Sequence, residues 1–130
     1  MSFWARLSAE FFFEAAHRMP FFPEGHPNAR LHGHSYKVKV TVRGEVDPQT
    51  GFVIEHGKLE DLLKPIQEEL DHCYLNEIRG LELPTGEVIA RWIWMKLKSL
   101  VPHLVEVSVR REFRGIEVSY SGDIREGHFK

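Results

Sequence analysis

No stretch constrains this chain more than Leu31-His32-Gly33-His34-Ser35-Tyr36. It opens an alternating run in which Lys37, Lys39, Thr41 and Arg43 separate Tyr36, Val38, Val40 and Val42. Period-two alternation marks a half-buried strand, because successive side chains leave a strand on opposite faces. His32 and His34 share the parity of Tyr36 and Val38. A strand that reaches back to them turns both imidazoles toward the interior. Gly33 leaves the opposite face bare, which suits a bulge or a close backbone approach. Upstream, Phe11, Phe13, Ala15 and His17 fall on one face of a first strand, so a third imidazole also projects to an apolar side.

Three imidazoles converging from two strands make a natural zinc site. Neutral imidazole is a good zinc ligand, and three protein ligands leave a fourth position for water or substrate. For His32 and His34 alone, a hydrogen-bonded pair at a strand end is the plainer alternative. A third histidine on a matching face favours the metal.

At 130 residues the chain fits one domain, 1–130. With 42% hydrophobic and 28% charged residues, and a net charge of −2, nothing in the bulk electrostatics points to nucleic acid or a membrane surface. A single cysteine, Cys73, cannot form an internal disulfide, and no apolar run approaches a membrane span. A cytoplasmic protein is the expectation.

The first strand is expected over 3–18 and the second over about 32–45. The loop between them carries Pro20, Pro23, Gly25 and Pro27 and should hang over the three histidines. Leu59, Leu62, Leu63, Ile66 and Leu70 recur at helical spacing over about 57–70, with a kink expected at Pro65. A second helix opens at Pro84-Thr85-Gly86-Glu87, with Thr85 as its N-cap, and Pro102 stops it. It should bury Val88, Ile89, Trp92, Ile93, Leu97 and Leu100. Val105, Val107 and Val109, then Ile116, Val118 and Tyr120, form a closing hairpin about Arg114-Gly115. The order predicts an α+β fold: a four-stranded antiparallel sheet with two helices on one face. The apolar outer strands are a plausible route to subunit pairing into a ring.

Several segments then resemble one family. Phe13-Glu14-Ala15-Ala16-His17-Arg18, the His-Gly-His stretch, Leu70-Asp71-His72-Cys73-Tyr74-Leu75-Asn76, Pro84-Thr85-Gly86-Glu87 and the Trp92-Ile93-Trp94 helix follow the order of the 6-pyruvoyltetrahydropterin synthase / 6-carboxytetrahydropterin synthase family. The bacterial branch of the queuosine pathway is the most similar. The resemblance implies the tunnelling fold (T-fold) and a homohexamer of two stacked trimers. It implies zinc on His17, His32 and His34, and 7,8-dihydroneopterin triphosphate as substrate. It also implies a lyase reaction that releases triphosphate and acetaldehyde and leaves 6-carboxytetrahydropterin. Asp71 and His72 take the positions of the family's proton-moving pair, while Thr85 and Glu87 would help line the site.

Two positions depart from the pattern. The family's cysteine stands four residues before the His-Gly-His motif, where this chain has Asn28. Asparagine cannot act as a proton-transferring thiolate, so Glu24, His26 or Cys73 is left as a candidate replacement. The family also anchors the pterin on a glutamate at the end of the third strand. Strict alternation puts Arg111 on that face, and Glu112 reaches it only through a one-residue bulge. Glu112 is taken as the expected anchor. The expectation is therefore a zinc-dependent lyase, set against a pterin-binding paralogue with lost or altered catalysis.

Overall fold

A computed structural model describes residues 2–123, so Met1 and residues 124–130 of the expected domain lie outside it. The elements run β1 (Trp4–His17), β2 (His32–Glu45), α1 (His56–Leu70), α2 (Gly86–Leu97), β3 (Leu104–Arg111) and β4 (Ile116–Tyr120). The strands pair antiparallel in sequence order, β1-β2-β3-β4. Both helices come from the β2–β3 connection. α1 packs on β1, and α2 packs on β3 and β4.

The strand alternation sets the core. Phe11, Phe13 and Ala15 of β1, Tyr36, Val38, Val40 and Val42 of β2, and Val107 and Val109 of β3 are buried on one face. Leu59, Leu63, Ile66 and Leu70 of α1, with Ile89, Ile93 and Leu97 of α2, close over them in a single cluster. The opposite face is polar at the same level, where Lys37 pairs with Glu10 at 3.1 Å and Ser8 hydrogen-bonds Thr41 at 2.8 Å. β1 and β4 are the outer strands, and Trp4, Phe12 and Ile116 stay exposed on them.

Local chemistry fixes the helix starts. The Glu55 carboxylate accepts the N–H groups of Gly57 and Lys58, and Thr85 Oγ1 accepts that of Val88 at 3.2 Å, as an N-cap should. α1 runs uninterrupted through Pro65. α2 ends at Leu97, earlier than the sequence pattern suggests. Leu100 falls beyond the last turn and is 56% exposed, so its expected burial does not occur. The apolar period continues past the helix, but the backbone that would keep it on the core face does not.

The sheet has one register shift, at Thr41/Val42, where Val105 is passed over between Glu106 and Leu104. It lies at the start of β3. At the other end the pairing stays regular through Tyr36 opposite Arg111, and the Glu112 N–H continues it to Ser35 O at 2.9 Å.

Ile93 is fully buried in α2, and Leu100 is not. Ile93→Ala should cost about 2–5 kcal/mol of unfolding free energy by cavity formation. Leu100→Ala should stay within about 0.5 kcal/mol of wild type. Urea unfolding of the two variants measures the difference.

Candidate metal centre and adjoining cavity

The pairing of β1 with β2 brings the histidines together. His17 is directly opposite His32, and His34 is opposite Ala15, two residues along on the same face. Gly33 lets the strands close up at this point, since a Cβ there would lie 3.3 Å from Ala15 O. The three rings meet edge to face, with centroids 4.6, 4.8 and 4.9 Å apart. One ligand nitrogen from each lies within 4.8 Å of the others.

Hydrogen bonds decide what those nitrogens offer. His17 Nδ1 donates to Pro84 O at 3.2 Å, and His32 Nδ1 donates to Arg30 O at 2.7 Å. A carbonyl only accepts, so in each neutral ring the proton sits on Nδ1 and Nε2 presents a lone pair. The two Nε2 atoms face each other at 3.0 Å. His34 Nε2 is buried with no hydrogen-bond partner among the described residues. Lone pairs gathered in this way repel unless a cation lies between them. A metal–nitrogen bond of about 2.0–2.1 Å puts tetrahedral ligand nitrogens roughly 3.3 Å apart, close to the 3.0 Å between the His17 and His32 Nε2 atoms. The residues fit a metal ion.

Electrostatics favour the ligand form. Burial, followed by the neighbouring His32, lowers the His17 pKa to about 4. Burial, followed by the Arg111 guanidinium, lowers that of His34 to about 4. Tyr36, stacked on Phe13 at 4.7 Å, has its hydroxyl pushed up to about 12 by burial, against the pull of Arg111.

Beside the histidines opens a cavity of about 870 Å³, lined among others by Glu14, His34, Ser35, His72, Cys73, Arg111 and Arg114. His72 arrives there because the segment after α1 docks on the edge of β1. Asp71 Oδ1 accepts the Glu14 N–H at 2.8 Å, Cys73 O accepts the Ala16 N–H at 2.9 Å, and the His72 N–H bonds Glu14 O. Asn76 grips the end of β1 from both sides: its Oδ1 accepts the Arg18 N–H, and its Nδ2 donates to Arg18 O. Leu70 and Leu75 are fully buried beneath. His72 itself takes a left-handed backbone, φ 59°, and its Nδ1 donates to Asp71 Oδ2 at 2.8 Å. That hydrogen bond, more than the charge behind it, raises the His72 pKa, whereas the Asp71 pKa is lowered first by the Glu14 N–H and then by the His72 ring.

The comparisons with known proteins agree with this geometry. The sequence profile described as 6-pyruvoyl tetrahydropterin synthase matches residues 6–122. The chain belongs to the 6-pyruvoyl tetrahydropterin synthase family. It is 44% identical to the 6-carboxy-5,6,7,8-tetrahydropterin synthase of Synechocystis over 106 residues, 77% of this chain and 81% of that one. It is 38% identical over 72 residues to the dihydroneopterin monophosphate aldolase of Pyrococcus furiosus, 55% of this chain and 60% of that one. The Caenorhabditis elegans 6-pyruvoyl tetrahydropterin synthase structure superimposes with a TM-score of 0.82 at 27% identity, covering 92% of this chain and 96% of that one. The fold is the T-fold of these synthases.

The remaining positions that the family pattern singles out are scattered. Asn28 sits in a 3₁₀ turn, Pro27–Ala29, capped by the His26 ring, and neither they nor Glu24 line the His34 cavity. None of residues 19–29, the loop expected to hang over the histidines, lines the His34 cavity, and just after that loop Arg30 O accepts from the His32 ring. Cys73 does line the cavity, but its Sγ rests against Glu69 O at 3.3 Å and Asp71 O at 3.4 Å. Thr85 and Glu87 do not line it; through Pro84 O their segment orients His17 instead. Without a bulge at this end of β3, Glu112 falls on the opposite face with Lys37, Lys39 and Arg110, its Oε2 buried and without a hydrogen-bond partner among the described residues. Arg111 takes the histidine face. Strand parity gives that result directly, whereas the two carbonyls that set the histidine tautomers have no signature in the sequence.

Two measurements follow. Unfolded histidine takes up a proton near pH 6.5 but folded His17 and His34 only near 4, so the metal-free protein should be most stable above pH 6.5. Its Tm should fall as pH drops from 6.5 toward 4, and His34→Gln should flatten that slope. At pH 7.5 added Zn²⁺ should raise the Tm in proportion to log concentration, and His32→Ala should remove the rise.

Proposed function

We propose that this protein is a zinc-dependent lyase. It converts 7,8-dihydroneopterin triphosphate to 6-carboxy-5,6,7,8-tetrahydropterin, releasing triphosphate and acetaldehyde in the queuosine precursor pathway, and acts as a homohexamer in the cytoplasm. The observation that carries the reading is the metal-ready trio of His17, His32 and His34, whose His34 lines the same cavity as a carboxylate-supported imidazole, His72. The 44% identity to a 6-carboxytetrahydropterin synthase supports the choice of product.

His17, His32 and His34 would hold the zinc, which when bound acts as a Lewis acid toward the substrate's side-chain hydroxyls. Asp71 fixes the tautomer of His72. With Nδ1 committed to Asp71, His72 presents Nε2 as the atom that takes or returns a proton, and the carboxylate stabilises the imidazolium that forms. Asp71 stays anchored because its second oxygen holds the Glu14 N–H of β1. Arg30 O and Pro84 O keep the His32 and His17 Nε2 lone pairs on the metal side. No step is assigned to Asn28, Thr85, Glu87 or Glu112. The Cys73 Sγ is directed at the carbonyl oxygens of Glu69 and Asp71.

A second reading has specific support. With no thiol poised in the cavity, a retro-aldol cleavage of the dihydroneopterin side chain needs only the metal and His72. The Pyrococcus furiosus aldolase is a relative. Incubation of zinc-loaded protein with 7,8-dihydroneopterin triphosphate separates the readings by product. Acetaldehyde with free triphosphate supports the synthase, and a two-carbon aldehyde that still carries the triphosphate ester supports the aldolase. Pterin binding without turnover would leave a binding paralogue. His72→Ala should lower turnover by about 10²–10⁴-fold, and Asp71→Asn should lower it while moving the acid limb of the pH profile down.

A further inference from the structure

The cavity next to the metal centre is cationic on the side that β3 supplies. Arg111 closes the strand opposite Tyr36 and lines the cavity together with His34. Arg114 follows in the β3–β4 turn, lines the same cavity and also bears on His34. Among the described residues neither arginine has a carboxylate within 4.0 Å, although Lys37, Arg91 and Lys96 each have one. The nearby acids are committed elsewhere. Glu14 accepts the Ser35 hydroxyl at 2.7 Å, Asp71 holds His72, and Glu112 is on the far face of the sheet.

This arrangement is unfavourable by itself. Two guanidiniums line the cavity that His34 lines, and a divalent metal on the three histidines would add two more charges of the same sign. No carboxylate among the described residues comes within 4.0 Å of the half-buried Arg111 or of Arg114, and an anionic ligand in the cavity can supply that close counter-charge. Arginine's planar fork matches the oxygen pairs of carboxylates and phosphates and offers only donors.

We infer that Arg111, assisted by Arg114, forms an oxyanion subsite beside the three histidines, and that ligands enter with a phosphate or carboxylate group directed at Arg111. The subsite deepens the reaction proposed above, on which it rests only for the identity of the anion. It makes Arg111 a specificity-determining residue. A group that presents hydrogen-bond donors, such as the amino and imino edge of a pterin ring, is excluded from contact with it, so the ring must lie away from Arg111 and the charged tail toward it.

The test is calorimetric binding to metal-free and zinc-loaded protein, using inorganic tripolyphosphate, pterin-6-carboxylate and uncharged pterin as probes. Variants are Arg111→Met, Arg114→Met and, as a control from the opposite face, Arg110→Met. Arg111→Met should weaken at least one anionic probe by about tenfold or more, the worth of one charge-assisted bidentate contact. It should leave uncharged pterin unchanged, and Arg110→Met should bind like wild type. Loss confined to tripolyphosphate assigns the subsite to phosphate, and loss confined to pterin-6-carboxylate assigns it to a carboxylate. Equal anion binding by wild type and Arg111→Met, no anion binding by wild type, or tighter binding of uncharged pterin by Arg111→Met would each overturn the inference. Arginine-dependent tripolyphosphate binding without turnover of dihydroneopterin triphosphate would refute the lyase and keep the subsite. Turnover unaffected by Arg111→Met would do the reverse.

Discussion

Everything at the candidate site depends on the register of β1 against β2. His17 faces His32 because Phe13 faces Tyr36 and Phe11 faces Val38. That register is enforced by burial. A slip of one residue would send Phe11, Phe13, Ala15 and His17 to the polar face and lose the apolar contacts of three strand positions at once. The ligand set is therefore held by the hydrophobic core rather than by its own interactions, which are repulsive without a cation. Gly33 is part of the same constraint, since it lets β2 lie close to Ala15 where the imidazoles must meet.

The proton-transfer candidate is positioned by a different device. His72 is not on a regular element. It sits on the short segment that leaves α1 and runs alongside β1, bonded to Glu14, Ala16 and Arg18 through Asp71, Cys73 and Asn76. Asp71 thus has two tasks, one oxygen for the β1 backbone and one for the His72 ring. The segment also closes part of the free edge of β1, and its buried leucines tie it to the core. A strand, a helix exit and two leucines together place one exposed imidazole beside three sheltered ones.

Charge separates the two faces of the sheet. The histidine face collects Arg111 and Arg114 against the metal centre, while Glu112, one residue from Arg111, is turned away with Lys37 and Arg110. Alternation along β3 makes this an all-or-none choice, and the only register shift in the sheet lies at the far end of that strand. At the end of β3 the histidine face therefore carries the donor Arg111 where an acceptor, Glu112, was expected.

The sequence alone determined a great deal. Period-two alternation located β1, β2 and the closing hairpin and gave His17, His32 and His34 a common face; helical spacing located α1 and α2, with Thr85 marking the start of α2. These signals are local, written in residues close together in the chain. It also held the correct parity for Arg111, although the family pattern argued for Glu112 by way of a bulge that the β2 hydrogen bonds do not allow. Where α2 stops, and so the exposure of Leu100, was not legible, because helix termination depends on the chain's return to β3. Only the tertiary structure decided that Pro84 O and Arg30 O fix the histidine tautomers. The same holds for the docking of His72 on β1, the turn of Cys73 toward carbonyls, and the distance of Asn28 from the His34 cavity. Those facts depend on backbone atoms and on contacts between distant segments, which carry no side-chain signature and exist only once the core has closed.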